Sequence, residues 1–309
     1  MQWTIFQKIL FRGFKHNYKR AAGLLLAILS SILLVWHPGF TQPLSKTLNM
    51  CIFPCTDAAN SFRKFHPLVT YLQQATELDI SLVFHDDLAG FERALKNGSL
   101  DLAIQDPQVY VKLTDKYNNA HILQALSFDQ ETTQRGVIIV RKDSGLKSIM
   151  DLRGKTVMFG STLSSPRWTA ARHLFEKNGF QIDQELLSYS HGGCCEDVAF
   201  NVFLKVVDAG VVCDHFLQEH DNREPELGLD TGQLAVIAET DRVPTKIFGS
   251  RKDVGENDIR QVTRALIGLD LRNPEHRQIL QNADLGGFQK ASPQDLSRIR
   301  EWPAQMRAD

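Results

Sequence analysis

Four hydroxyls crowd one short segment, Gly160-Ser161-Thr162-Leu163-Ser164-Ser165-Pro166. An apolar run precedes it, and a helical stretch starts near Pro166. Free backbone N–H groups at a helix start, together with hydroxyls, make a cradle for an anion. The same residues also suit a plain N-cap by Ser164 or Ser165, and both readings stand at this level. Gly-rich phosphate loops of the GxxxxGK[ST] or GxGxxG kind are absent.

Sulfur is the second chemistry. The chain has five cysteines, Cys51, Cys55, Cys194, Cys195 and Cys213. Cys55 and Thr56 lie in Pro54-Cys55-Thr56-Asp57, and Cys194 and Cys195 in His191-Gly192-Gly193-Cys194-Cys195-Glu196. Cys213 opens Cys213-Asp214-His215. Thiolates hold soft, thiophilic groups. The alternative is pairing, Cys51 with Cys55 or Cys195 with Cys213, in an oxidising compartment. A bond between the adjacent Cys194 and Cys195 is strained, and an odd count leaves at least one thiol over.

Enzyme chemistry finds little support. Neither a Gly-x-Ser-x-Gly elbow nor HExxH occurs. His173 falls within an amphipathic stretch, and Asp86-Asp87 and Glu196-Asp197 are neighbours that point apart along the chain. Cys195 with His191 or His215 has no third residue to order a triad. No enzyme activity and no cofactor are expected.

The elements that position these loops alternate. Strands are expected at 48–53, 79–84, 100–104, 121–128 and 136–141, with helices at 58–77, 91–96 and 108–115 between the first four. Phe62, Phe65, Val69 and Leu72 mark the core face of the first helix. A second series follows, with strands at 156–159, 186–189, 209–213 and 234–238 and helices at 166–178 and 196–206. From 256 onward the pattern is helical. Such alternation predicts parallel sheets with helices on both faces. The loops above, with Gln105-Asp106-Pro107 and Tyr110, fall at C-terminal ends of strands, where open α/β sheets bind ligands.

Lys8, Arg12, Lys15, Lys19 and Arg20 precede an uncharged apolar run over 21–36. Residues 1–41 are expected to be a signal peptide or a signal anchor, with the rest outside the cytoplasm. The formal net charge of −1 over 309 residues gives no basic excess for nucleic acid. Any anion must be held by local groups.

The chain resembles the phosphate/phosphite/phosphonate-type (PhnD-like) binding proteins of ABC importers. Leu100-Asp101-Leu102-Ala103 with Asp106-Pro107 and Tyr110 is similar to one family segment. Val140-Arg141-Lys142-Asp143-Ser144-Gly145 with Asp151-Leu152-Arg153-Gly154-Lys155-Thr156, and Val207-Asp208-Ala209-Gly210, are similar to two more. The resemblance implies an α/β, type II periplasmic binding protein: two α/β lobes joined by two hinge strands near 138–140 and 243–248. Lobe one would take 47–140 with 240–309, and lobe two 141–239. Hinge closure would present a new surface to a membrane partner.

The resemblance further implies a monomeric periplasmic protein that holds a small oxyanion for an ABC permease, with Tyr110, Ser164, Ser165 and Asp208 as inherited contacts. It departs in two places: one hydroxyl of the family's run is replaced by Leu163, and the family's histidine position falls on Cys194 or Cys195. With Cys55 in the first-lobe loop, that departure suggests an alternative, as some relatives sense arsenite. It is a membrane-tethered sensor of a thiophilic oxyanion such as arsenite, signalling to a histidine kinase.

Overall fold

The computed structural model describes residues 47–53, 58–85, 87–217, 228–297 and 300–301. The expected signal or anchor segment, Cys55 and Thr56 lie outside the described residues. Among the described residues no helix is long and apolar enough to cross a membrane.

The chain first builds β1 (Leu48–Phe53), α1 (Ala58–Thr76), β2 (Ile80–Leu82), α2 (Leu88–Asn97), β3 (Leu102–Gln105), α3 (Pro107–Lys112) and β4 (Leu123–Leu126). It crosses through β5 (Thr133–Gln134) into β6 (Gly136–Arg141), β7 (Thr156–Phe159), α4 (Ala170–Lys177), α5 (Ile182–Glu185) and β8 (Ser188–His191). Next come α6 (Cys195–Phe203), β9 (Ala209–Cys213) and β10 (Leu234–Glu239). It returns through β11 (Val243–Pro244) to β12 (Ile247–Ser250), α7 (Glu256–Ile267), α8 (Pro274–Asn282) and β13 (Gly287–Lys290). The first sheet runs β13-β4-β12-β3-β1-β2 and the second β10-β6-β9-β7-β8.

Only part of each sheet is parallel. β1 runs parallel to β2 and β3, and β7 to β8 and β9. β6 is antiparallel to β9 and β10, β12 to β3 and β4, and β13 to β4. The crossing explains the two central reversals. β5 and β11 pair with each other, Gln134 opposite Val243. β6 and β12 therefore begin where β9 and β3 end, Gly136 opposite Cys213 and Ile247 opposite Gln105. A strand that starts at the cleft runs against those that finish there. Residues 138–140, expected at the hinge, are interior to the second sheet, and the crossing pair lies just before them.

The central strands of each sheet are buried on both faces. Phe65, Leu68 and Leu72 of α1 cover one face of the first sheet, while Phe91, Leu95 and Tyr117 fill the other. Phe62 does not join them: it is 46% exposed. In β6, Ile138 and Val140 face one core, and Val137 and Ile139 the opposite one, the two-residue alternation of a strand. Full burial of such side chains contributes about 1.5–3 kcal/mol each. The helix expected from 166 opens instead as a wide π-type turn, Ser165–Thr169, before α4 begins. Gly136 is required beside it, since a Cβ there would lie 2.4 Å from the Pro166 carbonyl oxygen.

Candidate functional site: a cationic cavity between the lobes

The strands that end at the crossing bring their loops together around a cavity of about 80 Å³. That is room for several waters or one small tetrahedral anion. Lys64 and Asp106 line it from the first sheet's side, with Lys246 and Asp284, which follow β11 and α8. Gln134 contributes from the crossing. Ser164, Arg167, Cys194, Cys195, Cys213 and His215 face it from the second sheet's side.

Arg167 is the unusual member. Its Nη2 donates to the Gly193 carbonyl at 2.9 Å. Its Nη1 is buried and has no hydrogen-bond partner. Among the described residues no carboxylate forms an ion pair with it. Gly160 makes this placement possible, because a Cβ there would stand 2.6 Å from Arg167 Cβ and 2.9 Å from its Cζ. Lys246, also on the cavity, makes no side-chain hydrogen bond among the described residues.

The other cation is fully matched. Lys64 Nζ meets Glu196 Oε1 at 3.0 Å and Asp284 Oδ2 at 2.6 Å. Burial opposes its charge, but Asp284 and Glu196 outweigh burial and raise its pKa far above the usual lysine value. Asp284 reaches Lys64 from a left-handed backbone, φ 53°, a conformation that costs a non-glycine residue about 1–3 kcal/mol. Because Lys64 lies on α1 and Glu196 on α6, this ion pair ties the two lobes.

A second tie takes up the hydroxyl segment. Asp106 caps α3 by accepting from Gln108 N at 2.9 Å. It also accepts from Ser165 N at 2.8 Å and from the Ser165 hydroxyl. A carboxylate of the first lobe thus occupies the free N–H end expected for an anion. Burial pushes Asp106 up to about 6, against the pull of the Ser165 and Gln108 donors. Ser164 Oγ accepts from Arg167 N at 3.3 Å, so it acts as an N-cap while it lines the cavity.

The cysteines divide. Cys194 caps α6, its sulfur accepting from Asp197 N at 3.4 Å. Burial, reinforced by Glu196, pushes its thiol up to about 12. Cys195 is the first residue of α6, and its sulfur accepts from Cys213 N at 3.3 Å. Interaction with the Cys213 side chain, aided by the Arg167 charge and opposed by burial, lowers the Cys195 pKa below the usual thiol value. Cys213 moves the opposite way for the same reason. All the described cysteines are free thiols, and Cys51 is buried in the first lobe's core.

Ser164, Cys194 and Cys195, of the residues expected from sequence, line the cavity, and Ser165 adjoins it through Asp106. Tyr110 does not reach it. Its ring packs against Tyr117 in the core, and its hydroxyl donates to Asn119 at 3.2 Å. Asp208 is also displaced, to the far end of β9, where it accepts from Thr156 N and Oγ1, both at 2.9 Å. It clamps the start of β7 to the start of β9. Asp101, just before β3, does the same for β1, accepting from Asn49 N at 3.1 Å. Both motif aspartates therefore stitch parallel strands. Cys55 and Thr56 lie outside the described residues. Lys64, Arg167, Lys246 and Asp284 were not expected, since no motif marks them, though Arg167 sits just beyond the hydroxyl run.

Two α/β lobes on a paired crossing, with a charged cavity where the strands end, define a type II periplasmic binding protein. Residues 50–296 match the family model described as "ABC transporter, phosphonate, periplasmic substrate-binding protein", and the chain belongs to that family. It is a periplasmic component of the phosphonate type of ABC transporter. It is 22% identical over 292 residues to the phosphonates-binding periplasmic protein of Escherichia coli K12, covering 92% of this chain and 84% of that one. The fold is similar to that of a binding protein component of an ABC phosphonate transporter from Pseudomonas aeruginosa. There the TM-score is 0.68 at 17% identity, over 84% of this chain and 87% of that one. PhnD1 from Prochlorococcus marinus, in complex with methylphosphonate, gives 0.70 at 17% identity, over 86% of this chain and all of that one. At such identities the structural likenesses carry the fold alone.

Proposed function

We propose that this protein captures a small phosphonate- or phosphate-type oxyanion in the cavity between its lobes and delivers it to an ABC permease. The observation that carries the reading is Arg167 Nη1, buried and unpartnered on a cavity that Lys246 also lines. A buried charge costs several kcal/mol unless it is paired, and a bound oxyanion supplies the missing partner. Ser164 and Gln134 add polar groups to the same wall. The lobes divide in this reading at the β5–β11 crossing, and Lys64–Glu196 and Asp106–Ser165 hold them closed. The basic-flanked apolar run at 21–36 serves as the export segment.

Calorimetry with methylphosphonate, phosphate, acetate and arsenite tests the reading. A tetrahedral oxyanion should bind with one-to-one stoichiometry, and at a hundredfold excess over Kd should stabilise the fold by roughly 2.7 kcal/mol. No heat and no thermal shift with either tetrahedral anion would reject it. Cys195 and Cys213 on the cavity wall support the second reading, a membrane-tethered arsenite sensor that signals to a histidine kinase. Arsenite binding that disappears in Cys195→Ser would favour that reading.

A further inference from the structure

The cavity wall carries a pair of thiols that oxyanion capture does not use. Cys195 opens α6 and Cys213 closes β9, and both face the cavity. The Cys213 backbone N–H donates to the Cys195 sulfur at 3.3 Å, so the two residues are in direct contact. Among the described residues the other two cysteines are poorly placed to compete. Cys51 lies in the first lobe's core, and Cys194 is engaged as a cap, where a bond to its direct neighbour is strained. Arg167 and His215 face the pair from the same wall, and Lys246 from the first lobe.

We propose that Cys195 and Cys213 form a reversible disulfide and that this bond sets the anion affinity of the cavity, the oxidised protein binding more tightly than the reduced one. This rests on the oxyanion reading above. The oxidant is a disulfide, R–S–S–R, of a small molecule or a disulfide oxidoreductase. The Cys195 thiolate attacks one sulfur, forming Cys195–S–S–R and releasing R–S⁻. Cys213 then loses its proton, and its sulfur attacks Cys195 Sγ, forming the Cys195–Cys213 bond and releasing a second R–S⁻. The pair gives up two electrons, which leave on the two RS groups, and the Cys213 proton leaves with one of them.

The electrostatic result follows from charge alone. In the reduced form the lowered pKa of Cys195 favours negative charge on a sulfur that shares the cavity wall with Arg167, where it repels an anionic ligand. A disulfide is neutral, so Arg167 keeps its full attraction for the anion. At separations of a few ångströms, removing one like charge changes affinity by about tenfold or more.

The test uses the full chain after treatment with dithiothreitol or with oxidised glutathione. Alkylation and peptide mass mapping read the pair, and methylphosphonate calorimetry reads affinity. The expected result is a Cys195–Cys213 peptide in the oxidised sample and a Kd at least about tenfold tighter than in the reduced one. Cys195→Ser, which has neither thiolate nor disulfide, should bind like the oxidised form under both treatments. Thiols that both stay alkylatable after oxidation overturn the proposal. So does a mapped disulfide with equal affinity in both states, which would leave the oxyanion reading intact. If neither methylphosphonate nor phosphate binds in either state, both readings fall together.

Discussion

Replacing Arg167 by Met should raise the stability of the empty protein while abolishing most of its affinity. In the empty cavity the guanidinium has one hydrogen bond, to the Gly193 carbonyl at 2.9 Å, and a buried Nη1 with no partner. Losing the bond to a charged donor costs about 1.5–3 kcal/mol. Removing a buried cation whose Nη1 has no partner returns several kcal/mol. The net is a gain of about 1 kcal/mol, which for a chain of this size raises Tm by about 2–4 °C. With ligand bound the balance reverses. Breaking a buried charge pair costs about 3–5 kcal/mol, which weakens Kd by about a hundred- to a few-thousand-fold. Differential scanning calorimetry and methylphosphonate titration on Arg167→Met read both quantities. A variant that binds within threefold of wild type, or that melts well below it, would refute the reasoning and make Arg167 a structural residue.

Asp106 should make closure depend on pH. Burial raises its pKa from 3.8 to about 6, so the closed fold binds more protons than a hydrated carboxylate between those values. Its contribution is largest below pH 4 and is lost as pH rises through about 6, by roughly 3 kcal/mol in all; Asp106→Asn should flatten that slope in a series of melting curves. Lys64→Ala leaves Glu196 and Asp284 without their cation, and should destabilise the protein by about 3 kcal/mol in urea unfolding. Tyr110→Phe should cost about 1 kcal/mol of stability through the lost Asn119 bond and leave Kd unchanged. Asp208→Ala should likewise destabilise, by about 1–3 kcal/mol, without touching affinity; a large loss of binding in either variant would return it to the site.

Alternation of apolar and turn-rich segments made the two α/β series legible, and helix limits came close wherever a capping residue marked them, as with Gly179 after α4. Strand direction was not legible. β6 and β12 run antiparallel because both follow a crossing, which is a property of topology rather than of local pattern. That the crossing pair β5–β11 precedes 138–140 was hidden for a related reason: Val137 to Val140 are apolar at every position, and only pairing partners distinguish a buried strand from a crossing one. The site was half legible. The hydroxyl segment and the loops of Cys194, Cys195 and Cys213 do meet at the cavity, since strand ends converge there. Tyr110 and Asp208 belong to the family-like segments, but such segments also hold structural residues: Tyr110 packs on Tyr117, and Asp208 joins β7 to β9. The charges that matter most, Lys64, Arg167 and Lys246, come from three unrelated segments, and only folding brings them to one wall.

The central claim is that an oxyanion completes the charge on Arg167. A crystal structure of the protein with methylphosphonate tests it most directly. Phosphonate oxygens should lie within hydrogen-bond distance of Arg167 Nη1 and Lys246 Nζ, with Asp106 still on Ser165. A phosphonate bound elsewhere, or an occupied cavity in which Arg167 Nη1 remains without a partner, would contradict it.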